Sequence, residues 1–448
     1  MSALSIVTWN EANSKNKRAP SASTTFDFLS IRIGADNLTL AQSGSGGSAK
    51  WDVGARIIGN GVDPLISTDL ATKNYVDTNA VGLIQINGPA NMSGTYNASV
   101  RITGTVTMTG NVTIHGNLFL AVPSAAALLT TAGSNYSLTV DGNIFMGDLG
   151  YYSTKISLKG ADGTAGADAI SGGNLTVGGS ILASPLGANT IDMYGGAATN
   201  VAHPNGGSGG SINLSGDFGS TGFIKCYGGV GLTGGTGGTG GTVYVGGNSY
   251  AATISTYGGN TAGSLLPGNG GPVSFSGSTY GLVNSYGGTN TTNGFGGGTG
   301  GAVSAQGSNF GSVNANGGSG LFGGSGGTVY FVGDCYGGYT STGGVGTSSG
   351  GGAGGSIGIG GNLKTNAFCS SKGGNSTSGI GGLGGSVNVG GCMFNSQGVN
   401  LAGGNSSSST GGAGGTLTLG GILTGSGALT YSGGTGSPNG SAGTVAYA

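Results

Sequence analysis

The sequence predicts an all-β, fibrous protein whose main body is a glycine-rich parallel β-solenoid, and three observations carry that expectation. Glycine pairs at Gly209-Gly210, Gly240-Gly241, Gly270-Gly271, Gly300-Gly301, Gly326-Gly327, Gly354-Gly355, Gly384-Gly385 and Gly414-Gly415 recur at steps of 31, 30, 30, 26, 28, 30 and 30 residues. A fixed period of this size marks one supersecondary unit stacked on copies of itself. Each pair precedes a short alternating strand, from Ile212/Leu214 and Val243/Val245 through to Val387/Val389 and Leu417/Leu419, and period-two alternation is the signature of a half-buried strand. Finally, 95 of the 109 glycines fall in the 312 residues from Ser137 to Ala448, where each would cost a helix about 1 kcal/mol.

A second alternating pair follows in every unit: Ile224/Cys226, Ile254/Thr256, Val283/Ser285, Val313/Ala315, Tyr339/Ser341, Cys369/Ser371, Val399/Leu401 and Leu429/Tyr431. Chains rich in Gly, Ser, Thr and Asn often bury too little to fold. A disordered linker, however, has no reason to hold apolar pairs in register through eight units. One unit per coil stacks equivalent residues ~4.8 Å apart. Such stacking makes ladders of like residues. Phe218, Tyr250, Tyr280, Phe310, Tyr336, Leu363, Phe394 and Ile422 are expected to fill an inner corner. Tyr194, Tyr227, Tyr257 and Tyr286 have outward parity and give way to Asn316, Thr342, Lys372, Ala402 and Ser432. Tracts such as Gly234 to Gly241 use glycine for positive φ or for close backbone approach. Their three-residue rhythm also fits packed polyglycine-II-type chains along one side. Leu138/Val140 and Leu175/Val177 match the first-strand pattern at a spacing of 37, which places the start of the solenoid near Ser137.

The front of the chain differs: it holds most of the charge, both tryptophans, Trp9 and Trp51, and the only glutamate, Glu11. Between Ile102 and Leu120, Gly104, Gly110 and Gly116 sit six residues apart, a hexad suited to tightly wound β-structure in one chain or three intertwined chains. Ser67 to Asp77 is the one good helix candidate, with Ser67 or Thr68 as N-cap. The expected organisation is therefore 1–60 as an attachment region, 61–85 as a short helical junction, 86–136 as a hexad β segment and 137–448 as the solenoid.

Residues 56–80, RIIGNGVDPLISTDLATKNYVDTNA, resemble a junction found in many bacteriophage tail-fibre proteins. There a short strand precedes a stretch of the form xDPxxxxDAATKxYVD that opens a trimeric helical bundle. Asp63-Pro64, Asp69, Ala71-Thr72-Lys73 and Tyr75-Val76-Asp77 match that form, and Leu70 replaces the more usual alanine. The match spans about 25 of the 448 residues. It implies a homotrimer joined at Leu70, Lys73, Tyr75 and Val76. It further implies an N-terminus bound to other tail or baseplate proteins and a distal part presented to a bacterial surface polysaccharide or outer-membrane protein. The implied location is the virion, and the extracellular space after host lysis.

Composition bounds the alternatives. Net charge is −1 and charged residues make up 6% of the chain, so no basic surface recommends nucleic acid. No run approaches the ~20 apolar residues of a membrane span, and the start of the sequence shows no signal-peptide pattern, as expected of a virion component. Cys335 and Cys392 read as equivalent positions two coils apart, roughly 9–10 Å, too far for a disulfide. Cys226 and Cys369 fall at inward positions, so buried free thiols are expected.

Catalytic constellations are scarce. Glycoside hydrolysis generally needs two carboxylates within about 5–10 Å. From residue 201 onward the only acids are Asp217 and Asp334, four coils and so ~19 Å apart. Asp141, Asp148, Asp162, Asp168 and Asp192 are denser, and the loop holding Asp162 and Asp168 is a weak calcium candidate without the glutamate of a calcium loop. His115 and His203 have no evident partner in sequence, no Gly-Lys-[Ser/Thr] phosphate loop occurs, and no cofactor is expected. The outward ladder of Tyr194, Tyr227, Tyr257 and Tyr286 is the candidate receptor contact, with packing against another subunit or on itself as its structural alternative. The expectation is a non-enzymatic adhesin. A purely structural virion rod or extracellular filament is the alternative, followed by a capsule or lipopolysaccharide depolymerase.

Overall fold

The computed structural model describes residues 83–448, apart from short segments at 121–126, 148–152, 185–188, 220–221, 264, 293–294, 366–367 and 396, together with five strands earlier in the chain. The chain divides into two units, Met1–Leu83 and Ile84–Ala448. In the first, Phe28–Ile33, Asp36–Ser43, Lys50–Asp52 and Ile57–Ile58 pair antiparallel in sequence, and Asp69–Leu70 joins Ile57–Ile58 in parallel. The expected helix is corrected at those two residues: pairing with Ile57 and Ile58 takes the backbone groups a helix would use within its own turns. Lys73, Tyr75 and Val76, the other expected junction contacts, lie outside the described residues.

The second unit is a parallel β-solenoid with three sheets around one apolar core. On the first sheet Leu175 pairs with Ile212, Ile212 with Val243, Val243 with Val273, and so on to Leu417 with Val445. Both members of the alternating first strand point inward at each rung from Ile212/Leu214 to Leu417/Leu419, as expected. On a second sheet Ile224, Ile254, Val283, Val313, Tyr339, Cys369 and Val399 stack in the same way. The expected boundary at residue 137 is corrected: Leu138 pairs with Val112, and Val112 with Gly94, so the hexad segment forms the first coils of the same stack. Its longest strand is ten residues, Thr105–Ile114, and without the projecting glycine runs of the later coils its coils are smaller.

A one-residue slip corrects the third sheet. Its inward positions run Ile181, Phe218, Ser249, Thr279, Asn309, Cys335, Leu363 and Met393. Tyr250, Tyr280, Phe310, Tyr336 and Phe394 each stand one residue later and face outward, exposed at 39–46%. Because side chains alternate with period two, a slip of one residue exchanges inside for outside. Here a lone Ser, Thr, Asn or Cys fills the corner that the bulkier neighbour was expected to take. Cys335 is thus equivalent to Met393 and not to Cys392, whose backbone N–H donates to Asn362 Oδ1 at 2.9 Å. Cys226, Cys335 and Cys369 are buried free thiols and Cys392 is partly exposed.

Between the second and first sheets each coil projects two glycine runs joined by a tip, such as 228–231 and 237–241 around 232–236. Their N–H groups serve two directions. Gly228 donates to Tyr257 of the next coil, whereas Gly229 donates to Gly207 and Gly238 donates to Gly229, crossing between runs. The crossing chain continues through Gly259, Gly268, Gly288, Gly298, Gly318 and Gly324 up to Gly440. Extended chains bonded sideways as well as along the stack are the polyglycine-II-type arrangement. Close approach, not left-handed backbone, dictates glycine here: a Cβ on Gly259 would sit 1.9 Å from the Gly229 carbonyl oxygen, and one on Gly229 1.7 Å from that of Gly196.

Candidate functional site

The outer surface of the solenoid carries two aromatic ladders of different character. Tyr194, Tyr227, Tyr257 and Tyr286 leave the second sheet just after its inward Met193, Cys226, Thr256 and Ser285. Their rings stack at centroid distances of 4.8, 4.7 and 4.9 Å and lie within 13° of parallel. The rings are half-buried, and the hydroxyls of Tyr194, Tyr227 and Tyr286 turn back onto a polar ladder at Asp192, Ser255, Asn284 and Asn314. Tyr286 donates to Asn284 Oδ1 at 3.3 Å, and Asn314 Nδ2 donates to Asn284 Oδ1 at 2.8 Å. Burial, reinforced by the Asp192 carboxylate, holds the Tyr194 hydroxyl far above its ordinary pKa. Burial likewise raises Tyr227 and Tyr286. The inner ring faces of all four cover one another, and the hydroxyls of Tyr194, Tyr227 and Tyr286, whose pKa values are raised, cap the sheet beneath.

Tyr250, Tyr280, Phe310 and Tyr336 form the second ladder, on the third sheet, with centroids 4.6, 4.7 and 4.8 Å apart. These rings also stack face to face, but they are exposed at 39–45%, and their hydroxyls bond along the column, Tyr250 with Tyr280 and Tyr336 with Lys364. Lys364 continues the column, its Nζ 5.5 Å from the Tyr336 ring centroid and 2.9 Å from Asp334 Oδ2. The Lys364 ammonium, then the Asn362 backbone N–H, hold the Asp334 carboxyl below its usual range. Phe119 and Phe145 stack in the same outward column near its start, 4.8 Å apart.

A polar ladder beside the third sheet was not read from sequence. Asn143 accepts the N–H of Ser180, Ser180 that of Asp217, Asp217 that of Asn248, and Asn248 that of Ser278, over 2.6–3.0 Å. Farther along, Asp334 accepts from Asn362 and Asn362 from Cys392. Each side-chain oxygen satisfies a backbone donor of the following coil. The signal was present as a recurring Asn, Ser or Asp directly after a glycine that follows the first strand, as in Gly142-Asn143, Gly247-Asn248 and Gly333-Asp334.

The remaining acids serve local pairings. Asp217 and Asp334 occupy equivalent positions four coils apart, linked through Asn248, Ser278 and Ser308. Asp162 accepts the N–H of Ala197 at 2.9 Å, while Asp168 contacts Asn205 and lies 3.9 Å from His203 Nδ1. His115 Nδ1 lies 2.6 Å from Asp141 Oδ2, so both histidines have an aspartate partner that the sequence did not disclose. Lys155 pairs with the buried Asp192. Asp148 lies outside the described residues. Among the described residues no group of three or more His, Cys, Asp or Glu could hold a metal ion, and no helix is long and apolar enough to cross a membrane.

Comparison with protein-family models, with curated proteins and with solved structures found no match in any of the three.

Proposed function

We propose that this chain is a subunit of a bacteriophage tail fibre, a homotrimer that attaches a virion to a bacterial surface by noncovalent, multivalent contact. The observation that carries this reading is the exposed ladder of Tyr250, Tyr280, Phe310 and Tyr336 on a nearly uncharged solenoid. The resemblance of residues 56–80 to tail-fibre junctions supports it. Amphipathic aromatic edges with hydroxyls suit reversible contact with a sugar or protein surface. Three weak sites on one rigid body gain avidity through high effective concentration. The half-buried ladder of Tyr194, Tyr227, Tyr257 and Tyr286 is assigned a structural role, because its hydroxyls are spent on the sheet below.

The test is adsorption of the labelled full-length chain to a panel of bacterial strains. Replacing Tyr280 and Phe310 by Ala is expected to lower adsorption to the bound strain by about tenfold, the scale of two lost aromatic contacts. Replacing Tyr227 and Tyr257 by Ala is expected to leave adsorption near wild type. A second reading, a structural rod whose host contact is made by another protein, is favoured by the mutual covering of ring faces in both ladders. Absence of adsorption to every strain supports that second reading.

A further inference from the structure

The exposed ladder is part of a longer row. On the third sheet Phe119 pairs with Phe145, Phe145 with Leu182, and Leu182 with Gly219. The inward chain Phe218, Ser249, Thr279, Asn309, Cys335 and Leu363 then carries the ladder rings one residue later at each rung. Lys364 in turn pairs with Phe394. From Phe119 to Phe394 the outward positions form one column of ten rungs, ~43 Å long at ~4.8 Å per rung. Its apolar character lapses only at Gly219 and Lys364. Leu182 and Phe394 are exposed at 41% and 46%, like the ladder itself, and Phe119 and Phe145 are partly exposed. The column is one side chain wide. Two residues before each rung from Phe145 onward stands the polar ladder that begins at Asn143, its side chains accepting backbone N–H groups. Two residues after the four ladder rings stand Ala252, Leu282, Ser312 and Gly338.

We propose that this column binds an uncharged polysaccharide lengthwise, the chain running parallel to the solenoid axis and touching successive rungs. The proposal rests on the attachment reading above and names the class of its ligand. Shape is the first argument. A standard protein interface takes about 20–30 residues from each side. This row offers eight large apolar side chains in single file: three before Gly219, four in the ladder, and Phe394. Long and narrow, it matches a linear polymer and not a globular face. Charge is the second argument. Lys364 is the one charged position in the column, and Asp334 pairs with it at 2.9 Å. A polyanion such as nucleic acid or an acidic capsule therefore finds no cationic track. The third argument is how the rings are presented. Stacking at 4.6–4.8 Å covers their faces and leaves their edges outward. The edge of an aromatic ring carries its positive partial charge. A sugar chain meets such edges with ether and hydroxyl oxygens in weak C–H···O contacts, whereas an acyl chain has no oxygen to offer.

The test begins with a strain that adsorbs the full-length chain. Periodate oxidation of its surface sugars is expected to abolish adsorption, and protease treatment of the cells to leave it unchanged. The reverse pattern makes the receptor a protein and overturns the proposal while the attachment reading stands; absence of any adsorbing strain overturns both. O-polysaccharide and capsular polysaccharide purified from that strain are then titrated separately, which tells the two sources apart. An uncharged polymer is expected to bind; binding of neither, or only of an acidic one, overturns the proposal. Lengthwise contact is read at the two ends of the column. Phe145→Ala and Phe394→Ala together, outside the four-ring ladder, are expected to weaken binding of the long polymer about tenfold, the scale of two lost aromatic contacts. The circular dichroism spectrum is expected to stay β-type and unchanged. Unchanged affinity in that folded variant overturns the lengthwise column. Should the double variant fail to fold, Leu182→Gln, at an exposed position, is expected to weaken binding about threefold, and unchanged affinity there overturns the column equally.

Discussion

At the scale of single residues, glycine is dictated by two separate causes, and substitution tells them apart. Gly259 has backbone oxygen where a Cβ would go. Gly259→Ala must therefore push two coils apart, and is expected to cost 3 kcal/mol or more, beyond the ~1–3 kcal/mol of ordinary overpacking. Gly234 has a φ of 85° and open space around it, so Gly234→Ala is expected to cost only about 1–2 kcal/mol. Chemical denaturation of the two variants checks the order. Ser249 poses the opposite case, a buried hydroxyl with no hydrogen-bond partner. Ser249→Ala is expected to raise stability by about 1 kcal/mol, because a buried unpaired hydroxyl is removed without leaving a hole. The buried thiols set a pH limit. Burial pushes Cys335 and Cys369 from an ordinary value of 9.0 up to about 12. Both protons are held more tightly in the fold than in the unfolded chain, so this contribution is intact below pH 9 and is lost as pH rises towards 12. Thermal unfolding followed from pH 8 to 11 is expected to show a falling midpoint, less steep in Cys369→Val.

At the scale of elements, what the sequence disclosed follows from what each element buries. The first sheet buries two apolar side chains per rung, and the second pairs one larger side chain with another that is often small, such as Cys226, Ser285 or Ala315. Their period-two pattern was therefore readable from Ile212 to Leu401; in the last coil Tyr431, expected inward, is exposed. The third sheet buries one inward side chain per rung over its middle coils, and that residue is Ser249, Thr279, Asn309 or Cys335. With a single small polar residue inside and a large aromatic beside it, hydropathy points to the wrong one. Asn309 is content there because its Nδ2 donates to the Gly311 carbonyl and to Tyr339 Oη, both at 2.9 Å. The same inversion hid the exposed ladder, so a row of accessible stacked rings was missed as a site while the half-buried ones were chosen. The Asn, Ser and Asp ladder escaped for another reason: hydrophobic periodicity says nothing about side chains whose work is to accept backbone N–H groups. Asn248→Ala is expected to cost about 1 kcal/mol by removing the acceptor for Ser278, with chemical denaturation as the check.

At the scale of the whole solenoid, neutrality has a consequence for adhesion. Only Asp217, Lys225, Asp334, Lys364 and Lys372 carry charge after His203, and Asp334 and Lys364 neutralise each other. Attachment through such a surface is expected to change less than about twofold between low salt and 0.5 M NaCl, since screening acts on charge and little is present. A repeat protein of this kind also depends on its neighbours, each coil lending hydrogen bonds to the next. The repeat period and the strand register were legible because stacking forces equivalent residues into columns.

The account stands on the outward register of the third sheet, and thiol accessibility measures it directly. In a Cys392→Ser background, Tyr280→Cys and Thr279→Cys are each treated, native, with a maleimide reagent. The account predicts rapid labelling of Tyr280→Cys and protection of Thr279→Cys until the protein is unfolded. Rapid labelling of Thr279→Cys with protection of Tyr280→Cys would place the aromatic ladder in the core and remove the surface on which the proposed adhesion depends.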